Sequence, residues 1–345
     1  MPVYEYTWYS DKEYTSPVTS SSDNLSYFPG NDTPTETGIV WSLIEYGDEY
    51  LATYRLADNA SPERLPRLSL WNETSALVSQ TVYQPFDSRF NGAKGGKNYA
   101  ALDTLSPTLS EAEAALVKTL VVDSGITGGY MCSLAYMSSV TTVIVSSDFD
   151  RLMSGAFHDC ANLDTLFVAG TTALQNTIDL SSIVGVRDVA YMFKNCESIS
   201  NIKFPAQIEI SIITAYAFEN CYSLERVWLD GDEMPVSGTI DLGSAQMLML
   251  HDGMFKNTYL INSLVLPDNT TISGHGLADI FTGAGKNNPY SDTITVNLIC
   301  TAGSAAETAI KAQPVTAAVM ALKVALNGSV LTNAGDIEID IGELG

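Results

Sequence analysis

The chain predicts an α/β to mainly β fold: a short solenoid with a parallel β-sheet, preceded by a β-rich N-terminal domain and closed by a C-terminal cap. Three observations carry this reading. One phrase recurs five times between about residues 120 and 300. Two aromatic and β-branched runs flank Gly47 and Asp48 near the start, and the end combines a helix-capping pair with a strand-like alternation. The boundaries follow the texture of the chain: residues 1–118, 119–300 and 301–345.

In the first segment, GIVWSLIEYGDEYLATYRLA reads as a β-hairpin because two runs of strand-forming residues are separated by a turn pair. Polar connections such as SPVTSSSDN and GNDTPTETG surround it. Ser110 followed by Glu113 is a capping-box pair before AALVKTL, which predicts a short helix beginning near Glu111.

The recurring phrases are SLAYMSSVTTVIV from Ser133, AFHDCANLDTLFV from Ala156, MFKNCESISNIKF from Met192, AFENCYSLERVWL from Ala217 and MFKNTYLINSLVL from Met254. Their anchors Leu134, Phe157, Phe193, Phe218 and Phe255 lie 23, 36, 25 and 37 residues apart, so short and long units alternate. The long units each contain Thr-Ile-Asp-Leu, from Thr177 and from Thr239, 62 residues apart. A double repeat with one additional strand accounts for both facts. Self-similarity at a fixed period marks a solenoid, in which each unit buries its apolar edge on the next. Strands are expected near Thr142–Val145, Thr165–Val168, Asn201–Phe204, Arg226–Leu229 and Ser263–Leu266. A degraded sixth copy begins at Ile280-Phe281.

In the last segment, Ser304 with Glu307 forms another capping box, and Ile337, Ile339 and Ile341 alternate with Asp336, Glu338 and Asp340 as on a half-buried strand.

The phrase A-F-x-x-C-x-x-L-x-x-L-x-L resembles the BspA-type leucine-rich repeat, over roughly Leu120 to Cys300. Such repeats occur in surface proteins of bacteria, protists and some viruses, so the resemblance implies adhesion or recognition without naming a ligand. The chain departs from the pattern in its alternating long units and in Met137 and Thr258 at the cysteine position.

Composition narrows the functions. Seventeen basic against forty acidic side chains give a formal charge of -23, which repels phosphate backbones and anionic membranes and excludes nucleic acid as a partner. No apolar run is long enough for a membrane helix, so no membrane insertion is expected. The first thirty residues place Glu5, Asp11, Lys12 and Glu13 where an export signal carries apolar residues, so none is read there. A virion, tail-like or other extracellular particle is the favoured location, with a microbial cell-surface adhesin as the alternative.

Chemistry-bearing residues are read chiefly as structural. Cys160, Cys196 and Cys221 share one repeat position and are expected to stack inside the solenoid as small apolar groups. A catalytic thiol would favour Cys160 beside His158, but it needs an aligned base and an orienting third group. His158-Asp159 and His251-Asp252 read as polar residues of solvated convex turns. Asp230, Asp232 and Glu233 lack the spacing of a calcium loop. No enzyme activity, metal or cofactor is expected; a glycan-active enzyme on a repeat scaffold is the remaining enzymatic alternative.

The interaction surface is placed on the sheet. In L-x-x-L-x-L strands the residue between the last two apolar positions points outward, which selects Ile144, Phe167, Lys203, Trp228 and Val265, with Arg226 on the polar border. These residues are expected to form a contiguous patch that binds a protein or glycan partner or mediates homo-oligomer or larger assembly. Cover by the chain's own N-terminal domain or cap is the other reading of the stripe.

Overall fold

The computed structural model describes residues 3–6, 24–26, 35–36, 39–46, 49–56, 63–65, 115–129, 133–186, 188–210, 215–285, 296–317, 319 and 323–331. The chain opens with β1 (Val3–Tyr6), β2 (Asn24–Ser26) and β3 (Thr35–Glu36), the last two forming a small antiparallel pair. The predicted hairpin follows as β4 (Ile39–Tyr46) and β5 (Glu49–Leu56), antiparallel and in register from Ile39↔Leu56 to Tyr46↔Glu49. Next come β6 (Glu63–Leu65), β7 (Val117–Val122) and β8 (Ile126–Gly129). The expected helix meets a strand instead, since Val117–Val122 pairs with the hairpin strand Glu49–Leu56 and with Thr142–Val145 in the sheet; Ser110 and Glu113 lie outside the described residues.

The repeats then supply β9 (Thr142–Val145), β10 (Arg151–Leu152), β11 (Thr165–Val168), β12 (Thr177–Asp179), β13 (Gly185–Val186), β14 (Asn201–Phe204), β15 (Glu209–Ile210) and β16 (Arg226–Leu229). They continue with β17 (Thr239–Asp241), β18 (Met247–Leu250), β19 (Ser263–Val265), β20 (Thr270–Ile272), the short helix α1 (Leu277–Ile280) and β21 (Val296–Ile299). Helix α2 (Ala305–Lys311), β22 (Val324–Leu326) and β23 (Ser329–Val330) close the described chain.

One sheet of 14 strands runs through the molecule in the order β1-β4-β5-β7-β9-β11-β12-β14-β16-β17-β19-β21-β22-β23. From β5 to β22 every neighbouring pair is parallel. The five strands read from the repeats all lie in it, and the two Thr-Ile-Asp strands, β12 and β17, are inserted between them. The hairpin extends the same sheet, so the boundary expected after Lys118 falls inside β7. Opposite, two narrower parallel sheets, β13-β10-β8-β6 and β15-β18-β20, complete the coils. In the last coil α2 packs on β20.

The third side of each coil is a run of tight turns, and its geometry explains the phrase A-F-x-N-C. Tyr136, Asp159, Asn195, Asn220 and Asn257 occupy one repeat position, and all have φ between 59° and 64°. Asn and Asp tolerate this left-handed conformation because their short side chains bond locally. It aims each N–H at the next coil: Asn195 donates to Glu219 O at 2.8 Å and Asn220 to Lys256 O at 2.9 Å. The turn side is therefore hydrogen-bonded from coil to coil, as the sheet is.

Between these walls the anchors stack face to face, Phe157 on Phe193, Phe193 on Phe218, Phe218 on Phe255 and Phe255 on Phe281, with centroids 5.5–6.0 Å apart. Phe281 thereby marks the sixth copy. Ser304 caps α2 by accepting from Glu307 N, while the Glu307 carboxylate reaches back to Gly303 N rather than to Ser304 N. The alternating segment Asp336–Ile341 lies outside the described residues.

Candidate interaction surface

Parallel register converts the repeat into two rows on the outer face of the long sheet. Thr119, Thr142, Thr165, Thr177, Asn201, Arg226, Thr239, Ser263 and Asn297 form one row. Val121, Ile144, Phe167, Asp179, Lys203, Trp228, Asp241, Val265 and Ile299 form the other. Strands stack about 4.8 Å apart, so neighbours in a row are in side-chain reach.

The structure alters the predicted patch at two points. Asp179 separates Phe167 from Lys203, and Asp241 separates Trp228 from Val265, because the inserted strands enter the same sheet. Both carboxylates act locally, since Asp179 accepts from Ser181 N and Asp241 from Gly243 N, each at 3.0 Å, closing the turn after its strand. That is the physical content of the repeated Thr-Ile-Asp-Leu. Secondly, Trp228 stands in the outward row but is only 3% exposed, so it is not an accessible anchor. Lys203 pairs with Asp230 at 2.6 Å, and Arg226 bonds Asn201 and Glu225.

What remains open and apolar is the N-terminal part of the row. Val121, Ile144 and Phe167 are consecutive and half-exposed, beside Thr119, Thr142 and Thr165. Nearer the other end, Val265 and Ile299 line an open groove of about 700 Å³ with Gln246, Asp268 and Asn269.

The turn side is structural. Cys160, Cys196 and Cys221 donate their thiol protons to Leu134 O, Phe157 O and Phe193 O of the preceding coil at 2.9–3.1 Å. Burial pushes the Cys196 and Cys221 thiols far above their ordinary range, which opposes nucleophilic chemistry. Thr258, at the same position, bonds its own anchor carbonyl, Phe255 O. His158 is not solvated as expected: its side chain is 12% exposed, lies between the Tyr136 and Tyr191 rings and contacts Asp159 at 2.9 Å.

Sequence reasoning passed over the side-chain ladder beside it. Asn195 donates to Asp159, Asn220 to Asn195 and Asn257 to Asn220 at 2.5–2.8 Å. The Asn just before the cysteine position in three phrases was the available signal. One position earlier, Glu219 is clamped by Lys194 at 2.6 Å and Lys256 at 2.9 Å. Burial raises the Glu219 pKa, but the two lysines outweigh it and the carboxyl titrates below its ordinary value.

Among the acidic groups weighed for metal, Asp230 and Asp232 are engaged by Lys203 and Ser244. The group among the described residues that does converge is Asp252, His275 and Asp279, with ligand atoms within 4.8 Å of one another. Among the described residues no helix is long and apolar enough to cross a membrane.

Stacked coils with a parallel sheet, an asparagine-lined turn side and a phenylalanine column define a leucine-rich-repeat solenoid. Residues 116–225 match the BspA type leucine rich repeat region in six copies, so this stretch of the chain carries BspA-type repeats. No curated protein matches the chain. A leucine rich cell surface protein of Faecalibacterium prausnitzii A2-165 is similar at 14% identity over 70% of this chain and 73% of that one, with a TM-score of 0.21. The pneumococcal vaccine antigen PcpA is similar at 10% identity over 86% and 97% of the two chains, with a TM-score of 0.18.

Proposed function

We propose that this is a non-enzymatic recognition protein of a cell surface, which binds a protein or glycan through the outer face of its long sheet. The observation that carries the reading is the half-exposed strip Val121–Ile144–Phe167 flanked by a threonine row. The fold needs no apolar residues there, since the inward positions Leu120, Val143 and Leu166 already supply the core. Apolar side chains beside hydroxyls suit contact with either a sugar ring or a protein surface. The BspA-type repeats support the cell-surface adhesin over the virion or tail-like particle expected from the opening residues. The buried, hydrogen-bonded thiols and the aspartates committed to turns support a binding module over a glycan-active enzyme.

Arrays of immobilised glycans and extracellular-matrix proteins test this. The full chain is expected to bind a restricted set of them, and Ile144→Asp with Phe167→Asp to abolish that binding while the melting temperature stays within a few degrees. Binding unaffected by the pair, or turnover of an arrayed glycan, would overturn the reading.

A further inference from the structure

The cluster at Asp252, His275 and Asp279 sits where the fifth coil meets the sixth, away from the sheet face. Asp252 is 9% exposed and is enclosed by the loop Gly274-His275-Gly276. Its carboxylate accepts from His275 N at 2.6 Å and meets His275 Nδ1 at 3.0 Å. A side chain at Gly274 would collide with that carboxylate, its Cβ falling against Asp252 Oδ1, so the loop can close on Asp252 only as glycine.

Asp279, on α1, supplies the second and independent observation. Its Oδ2 is buried from solvent and has no hydrogen-bond partner. A buried carboxylate oxygen left unpaired is costly, and a carboxylate oxygen of the same residue lies within 4.8 Å of Asp252 and His275 ligand atoms. The nearby cation Lys256 is committed to Glu219 Oε1 at 2.9 Å. Two carboxylate oxygens and an imidazole nitrogen are thus drawn together, with His275, when protonated, the partner of Asp252 and with Asp279 Oδ2 left unpaired.

We propose that Asp252, His275 and Asp279 form a binding site for a divalent transition cation of the zinc type. Two carboxylates and one imidazole are a ligand set such ions accept, at bond lengths of about 2.0–2.2 Å. Ligand atoms around such an ion lie roughly 3.3 Å apart in a tetrahedral arrangement. Asp252 and His275 already have that spacing, and the His275 side chain, 84% exposed, is free to rotate for the rest. The same exposure leaves the remaining coordination position to water. The ion would tie the fifth coil to the sixth at the point where the cysteine position and the regular phrase give out.

The test uses the full chain, zinc and cobalt as probes, and two variants. His275→Ala removes an exposed side chain and its contact with Asp252, so it is expected to fold with a slightly lower melting temperature than the metal-free wild type. Asp279→Asn turns the unpaired oxygen into an amide and is expected to fold with a melting temperature equal to or above it. Wild type should bind one equivalent of cobalt, seen as visible d–d absorption, and zinc should raise its melting temperature. Each variant should lose at least about tenfold in affinity and the zinc-induced rise. Absence of saturable binding to the wild type, or cobalt spectra and zinc shifts unchanged in either variant, would overturn the site.

Discussion

At the scale of single residues, the turn side of the solenoid concentrates the strictest demands. Asn220 must adopt φ of 61°, donate to Asn195 and accept from Asn257. Asn220→Ala keeps none of this, and we expect it to cost roughly 2 kcal/mol, the sum of a left-handed backbone penalty and lost hydrogen bonds, measured by denaturant unfolding. Glu219 gives a pH prediction. Its folded pKa is lowered, so its contribution is fully present above the unfolded glutamate value of about 4.3 and is lost as pH falls through the folded value. The melting-temperature advantage of wild type over Glu219→Gln should be present at neutral pH and vanish in stronger acid. The cysteines were legible as interior residues from their shared repeat position. Their role as donors to the preceding coil was not, because a hydrogen bond between coils depends on how the coils stack.

At the scale of elements, the strands were the most legible part. The recurring apolar positions of the repeat phrase in Thr142–Val145, Thr165–Val168, Asn201–Phe204 and Arg226–Leu229 give both the strand and the face each residue presents. The inserted strands could be read from Thr-Ile-Asp-Leu, but their consequence for the outer face was missed, because Asp179 and Asp241 enter the row only once register is known. Burial of Trp228 was illegible for a related reason: alternation assigns a direction, and what lies over that direction is tertiary. The Asp252–His275 contact had a signal, since the two are 23 residues apart, the length of a short unit. The phenylalanine column carries the interior. Phe193 stacks on both Phe157 and Phe218, and Phe193→Ala should cost about 3–5 kcal/mol, read from chemical denaturation.

At the scale of the whole molecule, the coils are coupled on every side: through the long sheet, the two narrow sheets, the turn-side hydrogen bonds and the stacked anchors. Such an array is approximately one-dimensional, and loss of one interface weakens its neighbours. It also separates stability from recognition, because neighbouring residues on one strand serve opposite faces. Leu166 is fully buried, whereas Phe167, next to it, is half-exposed on the outer row. The melting temperatures of Leu166→Asp and Phe167→Asp, measured side by side, test the claim that this face is free for a ligand. Leu166→Asp places an unpaired charge in the core and should lower the midpoint by about 10 °C or more. Phe167→Asp should leave it within about 2 °C of wild type, since an outward substitution of this kind costs little. Equal losses in the two variants would show the outer row to be interior and would contradict the account.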